Sequence, residues 1–363
     1  MKVAMLGLRA PWGTSGGVEA AVSEIAPRLV EKGVDITVFC RSKYNKYGNA
    51  VHQGVRLRSL GTIYTKHLEA IVHTFVALPY AICFADIVHI HATGPALLAW
   101  LPRLMGRKVV VTIHAFDHQR SKWGWFAQLA LRVGLWSALN FPNRSIVVGE
   151  HLKQSIKEKY GYDTVCIPNA AKPTDVHPLS VGEVEGIHSD GYLLFLGRIV
   201  PEKGLEKCFD AYRASGISLP FVIVGGNINM PEYLKELREC APPGVIMVGE
   251  RFGNAKSALL HHARAFVLPS TVEGFPISAL EALANETLCL LSDIPPHREL
   301  LSQPKTGKVV KSSEWAEIFS WTEKSERSER QEIAKRGKHH ILKTYNWDRI
   351  TQQTMDLYTE LIG

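Results

Sequence analysis

None of the six cysteines, at positions 40, 83, 166, 208, 240 and 289, belongs to a Cys-x-x-Cys pair. That excludes a zinc ribbon and a thioredoxin-like motif, and the scatter reads as buried, reduced thiols of a cytoplasmic protein. Long apolar runs are also missing. The nearest, residues 68–88, contains Glu69, His73, Pro79 and Asp86, which excludes a spanning helix. Residues 1–8 are apolar but short and run straight into Gly-rich sequence, so no secretory signal is expected. The net charge is +7 and the pI about 9.0, yet the basic residues are dispersed. Without an arginine-rich tract or a nucleic-acid motif, nucleic acid is not the expected partner; an anionic nucleotide and an anionic membrane surface fit better. A dinucleotide fingerprint is absent too. Gly13, Gly16 and Gly17 do not fit G-x-G-x-x-G, and Asp35 is a loose acidic partner, which disfavours a dehydrogenase. No short internal repeat occurs.

What the chain has is an ordinary globular composition, 46% hydrophobic and 21% charged, over 363 residues, the length of two domains with separate cores. Residues 2–8 read as a buried strand, 13–17 as a Gly-rich loop, 18–32 as an amphipathic helix with Gly33 as its C-cap, and 35–40 as a second strand. This βαβ opening predicts a parallel sheet with helices on its faces. Further strands are expected at 55–60, 87–91, 109–114 and 145–148, with a long apolar helix at 123–139. Residues 168–191, with their prolines, glycines and acids, break the pattern as a linker. The pattern then restarts. Strands are expected at 192–197, 220–224, 245–248, 265–268 and 288–292, and helices at 204–214, 232–240 and 277–284. A charged helical surface stretch at 312–343 and an amphipathic helix at 347–362 close the chain. The predicted class is α/β, two Rossmann-like halves facing a cleft.

The segment Glu273-Gly-Phe-Pro-Ile-Ser-Ala-Leu-Glu281 carries the most chemistry. Pro276 suits the first turn of a helix, where its missing N–H is harmless. The N–H groups of Phe275, Ile277 and Ser278 at that helix start, with the helix dipole, favour an anion. Carboxylates favour sugar hydroxyls, since each accepts several hydrogen bonds. Together they point to a nucleotide sugar. The plainer reading of Glu281 is an acid paired with a base. Arg198 and Lys203 flank the turn after the first strand of the second half, where a forked guanidinium and a point charge can bind a diphosphate. Gly16 and Gly17 let backbone approach a ligand and adopt positive φ. Glu19 follows them, where it also complements the helix dipole. His114 ends a strand. His89 and His91 share one strand face and read as packing, with no third metal ligand evident.

These residues resemble the retaining glycosyltransferases of family 4, enzymes of the two-domain GT-B fold. The likeness rests on the E-x7-E segment and on Gly16-Gly17-Val18-Glu19, Thr112-Ile-His114, Ile167-Pro-Asn169, Gly197-Arg198 with Glu202-Lys203-Gly204, Ser292-Asp-Ile-Pro295 and Tyr345-Asn-Trp-Asp348. Residues 112–124 resemble a branch of bacterial enzymes that build surface polysaccharide such as O-antigen or capsule. The resemblance implies an N-terminal acceptor domain, 1–168 with 345–363 returning to it, and a donor domain, 169–344. It implies transfer of a hexose-type sugar from a nucleoside diphosphate to a glycan or polyprenyl-linked acceptor. His114, Arg198, Lys203 and Glu273 would be catalytic. Gly16, Gly17, Gly274, Phe275, Pro276, Ile277, Ser278 and Glu281 would bind donor, with Glu281 on the ribose hydroxyls. Glu19, Asp117 and Arg120 would meet acceptor.

No carboxylate nucleophile stands out for a double displacement. The route implied by the family is a same-face internal return, in which the departing phosphate oxygen takes the acceptor proton. The chain has no D-x-D pair, the metal–diphosphate signal of the other large glycosyltransferase fold, so no cofactor or divalent ion is expected. One departure is Glu286, where the family has a helix-ending glycine; Asn285 is expected to take the αL cap instead. Trp123, Trp125, Phe126, Trp136 and Phe141 alternate with Lys122, Arg132 and Arg144, either as a helix lying on an anionic bilayer or as a core helix with a snorkelling rim. The first reading gives a cytoplasmic enzyme peripheral on the inner face of the plasma membrane. A sugar-nucleotide epimerase of the same fold, which needs no acceptor, and a non-catalytic sugar-nucleotide-binding protein are the alternatives.

Overall fold

The computed structural model describes residues 1–14, 16–65, 68–116, 125–226 and 230–363, the side chains of 126 and 127 aside. The chain forms two compact units, one of residues 1–169 with 347–363 and the other of residues 170–346.

Among the described residues, the first unit holds strands β1 (Lys2–Leu6), β2 (Asp35–Arg41), β3 (Val51–His52), β4 (Val55–Leu60), β5 (Ile87–His91), β6 (Lys108–Ile113), β7 (Arg144–Val147) and β8 (Val165–Cys166). They form one sheet in the order β3-β4-β2-β1-β5-β6-β7-β8. All pairs are parallel except β3 with β4. The central strands read as continuous apolar runs because helices cover both faces. The helices are α1 (Gly17–Glu31), α2 (Glu69–Phe84), α3 (Thr93–Ala96), α4 (Trp100–Leu104), α5 (Trp125–Asn140) and α6 (Glu150–Tyr160). Gly33, at φ 86°, ends α1 by donating its N–H to Val30 O at 2.9 Å. The C-terminal helix Trp347–Ile362 buries Trp347, Ile350, Leu357 and Tyr358 in this unit, and Lys32 Nζ meets Gln352 Oε1 at 2.9 Å.

The second unit is built on β9 (Leu193–Leu196), β10 (Phe221–Val224), β11 (Val245–Gly249), β12 (Ala265–Leu268), β13 (Cys289–Ser292) and β14 (Lys308–Val310), parallel throughout in the order β11-β10-β9-β12-β13-β14. Its helices are α7 (Leu205–Ser215), α8 (Pro231–Cys240), α9 (Gly253–His262), α10 (Ile277–Ala284), α11 (Pro295–Leu300), α12 (Trp315–Lys324) and α13 (Arg327–Thr344).

Several expectations need correction. The charged stretch 312–343 is two helices, because Ser325 and Glu326 take extended or non-helical backbone between α12 and α13. The cysteines are not uniformly buried. Cys40, Cys208 and Cys289 are, and burial pushes the Cys40 thiol up to about 12, but Cys83 and Cys240 lie on exposed helix faces. Asn285 does not take the αL cap; it sits at φ −92°, and Glu286 itself adopts φ 62°. The Asn285 side chain is engaged instead. Its Oδ1 accepts the Thr174 N–H at 2.8 Å and its Nδ2 donates to Glu281 O at 2.9 Å. Among the described residues no helix is long and apolar enough to cross a membrane.

Candidate functional site

In the second unit the chain leaves β9 through Gly197 and a half-buried Arg198, then makes a single 3-10 turn, Pro201–Lys203. Gly204 ends that turn at φ 67°, and a Cβ there would lie 2.5 Å from Pro269 O. Both backbone conformation and space therefore require glycine. The close approach sets Lys203 against the segment that follows β12. Lys203 Nζ donates to Glu273 Oε1, which also accepts Ser270 Oγ at 2.7 Å. Thr271 N–H donates to Glu202 O at 2.8 Å and ties the two turns together. The Lys203 and Glu273 side chains are only 13% and 11% exposed. Burial alone would raise the Glu273 carboxyl. Lys203, the charge of His297 and the hydrogen bonds from Lys203 and Ser270 outweigh it and hold the group below the ordinary glutamate range.

Glu273 leads into α10 through Gly274 and Phe275, both buried, with the Phe275 ring 5.1 Å from that of Tyr345. Pro276 is the N-cap rather than a first-turn residue, at φ −74° and ψ 110°. Leu280 N–H closes the turn onto Pro276 O at 3.2 Å, so the N–H groups of Ile277 and Ser278 precede the helical ladder. Glu281, one turn further, is partly buried and accepts Lys256 Nζ of α9 at 2.7 Å through Oε1. The acid paired with a base is thus present, with one oxygen engaged.

In the first unit, Gly16 is the N-cap of α1 and Gly17 its first residue. Gly16 is needed for space rather than positive φ: its φ of 161° is extended, but a Cβ would sit 2.1 Å from Glu19 Oε2. The buried Glu19 carboxylate folds back over the helix start and accepts the Arg9 N–H at 3.2 Å. His114 lies one residue past β6, half-buried, with Nε2 3.2 Å from Nδ1 of the buried His91. The His91 ring stacks on that of His89, centroids 4.2 Å apart. His89 Nδ1 meets Tyr358 Oη at 2.5 Å and its Nε2 meets Thr112 Oγ1 at 2.7 Å. Burial, with the charge of His114 adding to it, pushes His89 down to about 3, and burial beside His89 and His114 pushes His91 well below the ordinary range. Both imidazoles are therefore neutral at physiological pH. A cavity of about 40 Å³ touches His89, His91, Thr112, His114, Asn169 and Trp347. Among the described residues no three His, Cys, Asp or Glu side chains are grouped to hold a metal ion. Asp117 and Arg120 lie outside the described residues.

The structure thus joins Lys203 with Glu273 and Gly16 with Glu19, and gives Glu281 and His114 the partners Lys256 and His91. Lys256, Ser270, His297 and His91 were not singled out as site residues. Ser270 and Glu273 are three positions apart and carry a local signal; Lys256 and Glu281 meet across two helices and carry none.

Residues 15–174 match the family described as Glycosyltransferase Family 4, and residues 183–340 match Glycosyl transferases group 1. The chain is 23% identical to the alpha-maltose-1-phosphate synthase of Mycolicibacterium smegmatis, over 99% of this chain and 100% of that protein. It is 25% identical to the GDP-mannose:cellobiosyl-diphosphopolyprenol alpha-mannosyltransferase of Xanthomonas campestris, over 81% and 80%. The structure of Anabaena Alr3699/HepE in complex with UDP and glucose superposes with a TM-score of 0.81 at 17% identity, over 99% of this chain and 100% of that one.

Proposed function

Since the chain is a glycosyltransferase of the GT-B fold, with a family 4 domain followed by a group 1 domain, we propose that it is a retaining, metal-independent enzyme that moves a hexose-type sugar from a nucleoside diphosphate to a glycan or lipid-linked acceptor. The observation that carries this reading is the buried Lys203–Glu273 pair beside the start of α10. A lysine already held near a helix start is placed to meet a diphosphate, and Arg198 adds a second cation. N–H groups of Ile277 and Ser278 donate to phosphate or sugar oxygens. Gly274, Phe275 and Pro276 shape this entry, and Gly16 and Gly17 are further donor-binding residues of this reading. Glu281 keeps an oxygen for the ribose hydroxyls while Lys256 holds the other. Glu273 and His114 bind the donor sugar, and Glu19, Asp117 and Arg120 the acceptor.

In the internal return, the bond between the anomeric carbon and the phosphate oxygen breaks, and its electron pair stays on the phosphate. The acceptor oxygen forms its bond on the same face, and its proton passes to the departing phosphate oxygen. Negative charge grows on the diphosphate during this step. Cations fixed in advance therefore stabilise the transition state more than the ground state, without a metal ion.

A lipid-linked acceptor is supported by the Xanthomonas relative, whose name includes a diphosphopolyprenol. It is supported as well by α5. Trp125, Leu129, Val133 and Trp136 recur on one stripe of that helix and are 69%, 49%, 43% and 54% exposed, with Arg132 exposed beside them. Such a face suits peripheral contact with an anionic bilayer, and supports a role in bacterial surface-polysaccharide synthesis on the cytoplasmic side.

The test is ligand-induced thermal shift with UDP, GDP, dTDP, ADP and CMP, repeated in EDTA. Stabilisation by one diphosphate, unchanged by EDTA, is expected; a ligand at a hundred times its Kd adds about 2.7 kcal/mol. Stabilisation that EDTA abolishes would sink the metal-independent mechanism.

A further inference from the structure

We propose that His91 is a positioning residue: it donates its Nδ1–H to Nε2 of His114 and so keeps the proton of the His114 imidazole on Nδ1. The inference rests on the sugar-contacting role proposed for His114 and deepens it.

Two imidazoles 3.2 Å apart can share one hydrogen bond in two ways. Either His91 Nδ1–H donates to His114 Nε2, or His114 Nε2–H donates to His91 Nδ1. The other nitrogen of His91 decides between them. His91 is 4% exposed, and its Nε2 is buried without a hydrogen-bond partner. In the second arrangement that nitrogen would carry a proton and become an orphaned buried N–H. In the first it is a bare acceptor, the less rare of the two defects. A doubly protonated His91 is ruled out by its depressed pKa.

A half-turn of the ring would keep its stack on His89 but carry Nδ1 away from His114 and forfeit their hydrogen bond. Its face lies on His89, and His89 is pinned at both nitrogens by Tyr358 and Thr112. The Cα of Gly7 on the neighbouring turn lies so close that a Cβ there would be 2.2 Å from His91 O, so the backbone is fixed as well. His91 therefore presents one nitrogen to His114 in one orientation.

The consequence is chemical. With its Nε2 lone pair occupied and its proton on Nδ1, His114 has no bare ring nitrogen left and is not a base. Proton removal from the acceptor then falls to the departing phosphate oxygen, as the internal return requires.

The experiment is long-range ¹H–¹⁵N spectroscopy of the full chain carrying ring-labelled histidine, with His114 assigned by its loss in His114→Gln. A protonated Nδ1 and bare Nε2 at His114 are expected in the wild type. A protonated Nε2 there overturns the proposal, and this reading needs no altered His91. In His91→Phe, which keeps the stack on His89 but has no donor, the His114 proton should move toward Nε2 and kcat should fall about tenfold with the donor KM unchanged. His91→Asn, whose amide can donate from a similar position, should restore the tautomer and most of kcat. Loss of kcat in both variants with no change of tautomer would reduce His91 to a packing residue. Should the wild type show the Nδ1–H tautomer while His114→Gln turns over normally, the role of His114 fails and the tautomer assignment stands.

Discussion

At the ends of β9 and β12, the second unit keeps its ionisable groups charged and paired; at the ends of β5 and β6, the first unit keeps them neutral. Lys203 with Glu273 and Lys256 with Glu281 are ion pairs with little solvent around them. His89 and His91 are buried as uncharged rings, His89 hydrogen-bonded to Tyr358 and Thr112 and His91 to His114. The difference separates two tasks. A paired lysine can be redirected to a diphosphate, because the replacement partner is also an anion. A neutral imidazole can hydrogen-bond a hydroxyl without leaving a desolvated charge when the ligand departs. Among its described residues the first unit does hold a buried ion pair, Arg41–Glu69 at 3.0 Å, at the end of β2. The ring beside it follows the neutral pattern: burial, then Arg41, pushes His73 down to about 4.

Acid should break this symmetry, and with the largest effect. His73, His89 and His91 all have folded pKa values below that of an unfolded histidine, so the unfolded state binds the extra protons. Their contribution is complete above about pH 6.5 and is lost as pH falls from there toward the folded values, at about 1.4 kcal/mol per pH unit for each ring. Hydrogen exchange followed by mass spectrometry between pH 7 and 4.5 should show peptides of β1, β5 and β6 losing protection before those of β9, β10 and β12. In the second unit, His261 and His340 are lowered too, but they are only partly buried and weigh less. Protection lost first in the second unit would contradict the assignment of neutral, buried rings to the first.

The paired charges of the second unit predict a different pattern. Lys203→Ala strands a buried carboxylate and should lower stability by about 3–5 kcal/mol. Adding Glu273→Gln removes that charge and should recover much of the loss in chemical denaturation. Turnover should stay about 10²–10³-fold down in both variants, since the cation proposed to meet the leaving group is missing from each. Glu273 has a depressed pKa, so its contribution is present above about pH 4.3 and is lost as pH falls through the folded value. Its acid sensitivity therefore begins about two pH units below the point where that of the first-unit histidines sets in. Equal stability of the single and double variants would mean that Lys203 does not compensate Glu273.

The parallel sheets were legible because a strand covered on both faces is apolar along its whole length, as in Val109-Val-Val-Thr-Ile and Leu193-Leu-Phe-Leu. The α2 helix was not, because its exposed face carries Phe75, Val76 and Tyr80 and so blurs the period that marks an amphipathic helix. In the candidate site, the short motifs singled out Lys203, Glu273 and Glu281. It could not show that Lys203 and Glu273 are bonded to each other, since that depends on how closely Gly204 passes Pro269. Lys256 and His91 reach their partners through helix packing and strand pairing, and neither leaves a mark at fixed spacing.

Glu286 gives the smallest effect and tests the second unit apart from its paired charges. Its φ of 62° puts a side chain where glycine is at ease, a strain of order 1–2 kcal/mol. The position is nonetheless occupied, and its carboxylate meets Lys338 Nζ at 3.2 Å in a pair about one-third exposed on each side. Such pairs contribute at most about 1 kcal/mol. Glycine also has more freedom to lose from the unfolded chain, which offsets part of the relief. Glu286→Gly should therefore raise stability by no more than about 1 kcal/mol, read as a small rise in Tm, whereas Glu286→Ala keeps the strain, loses the pair and should lower it. The helix end stays where it is in both, because Asn285 holds it through Thr174 and Glu281. If Glu286→Ala proves as stable as Glu286→Gly, the left-handed conformation is not what limits this turn, and Lys338 would have to be the reason for glutamate there.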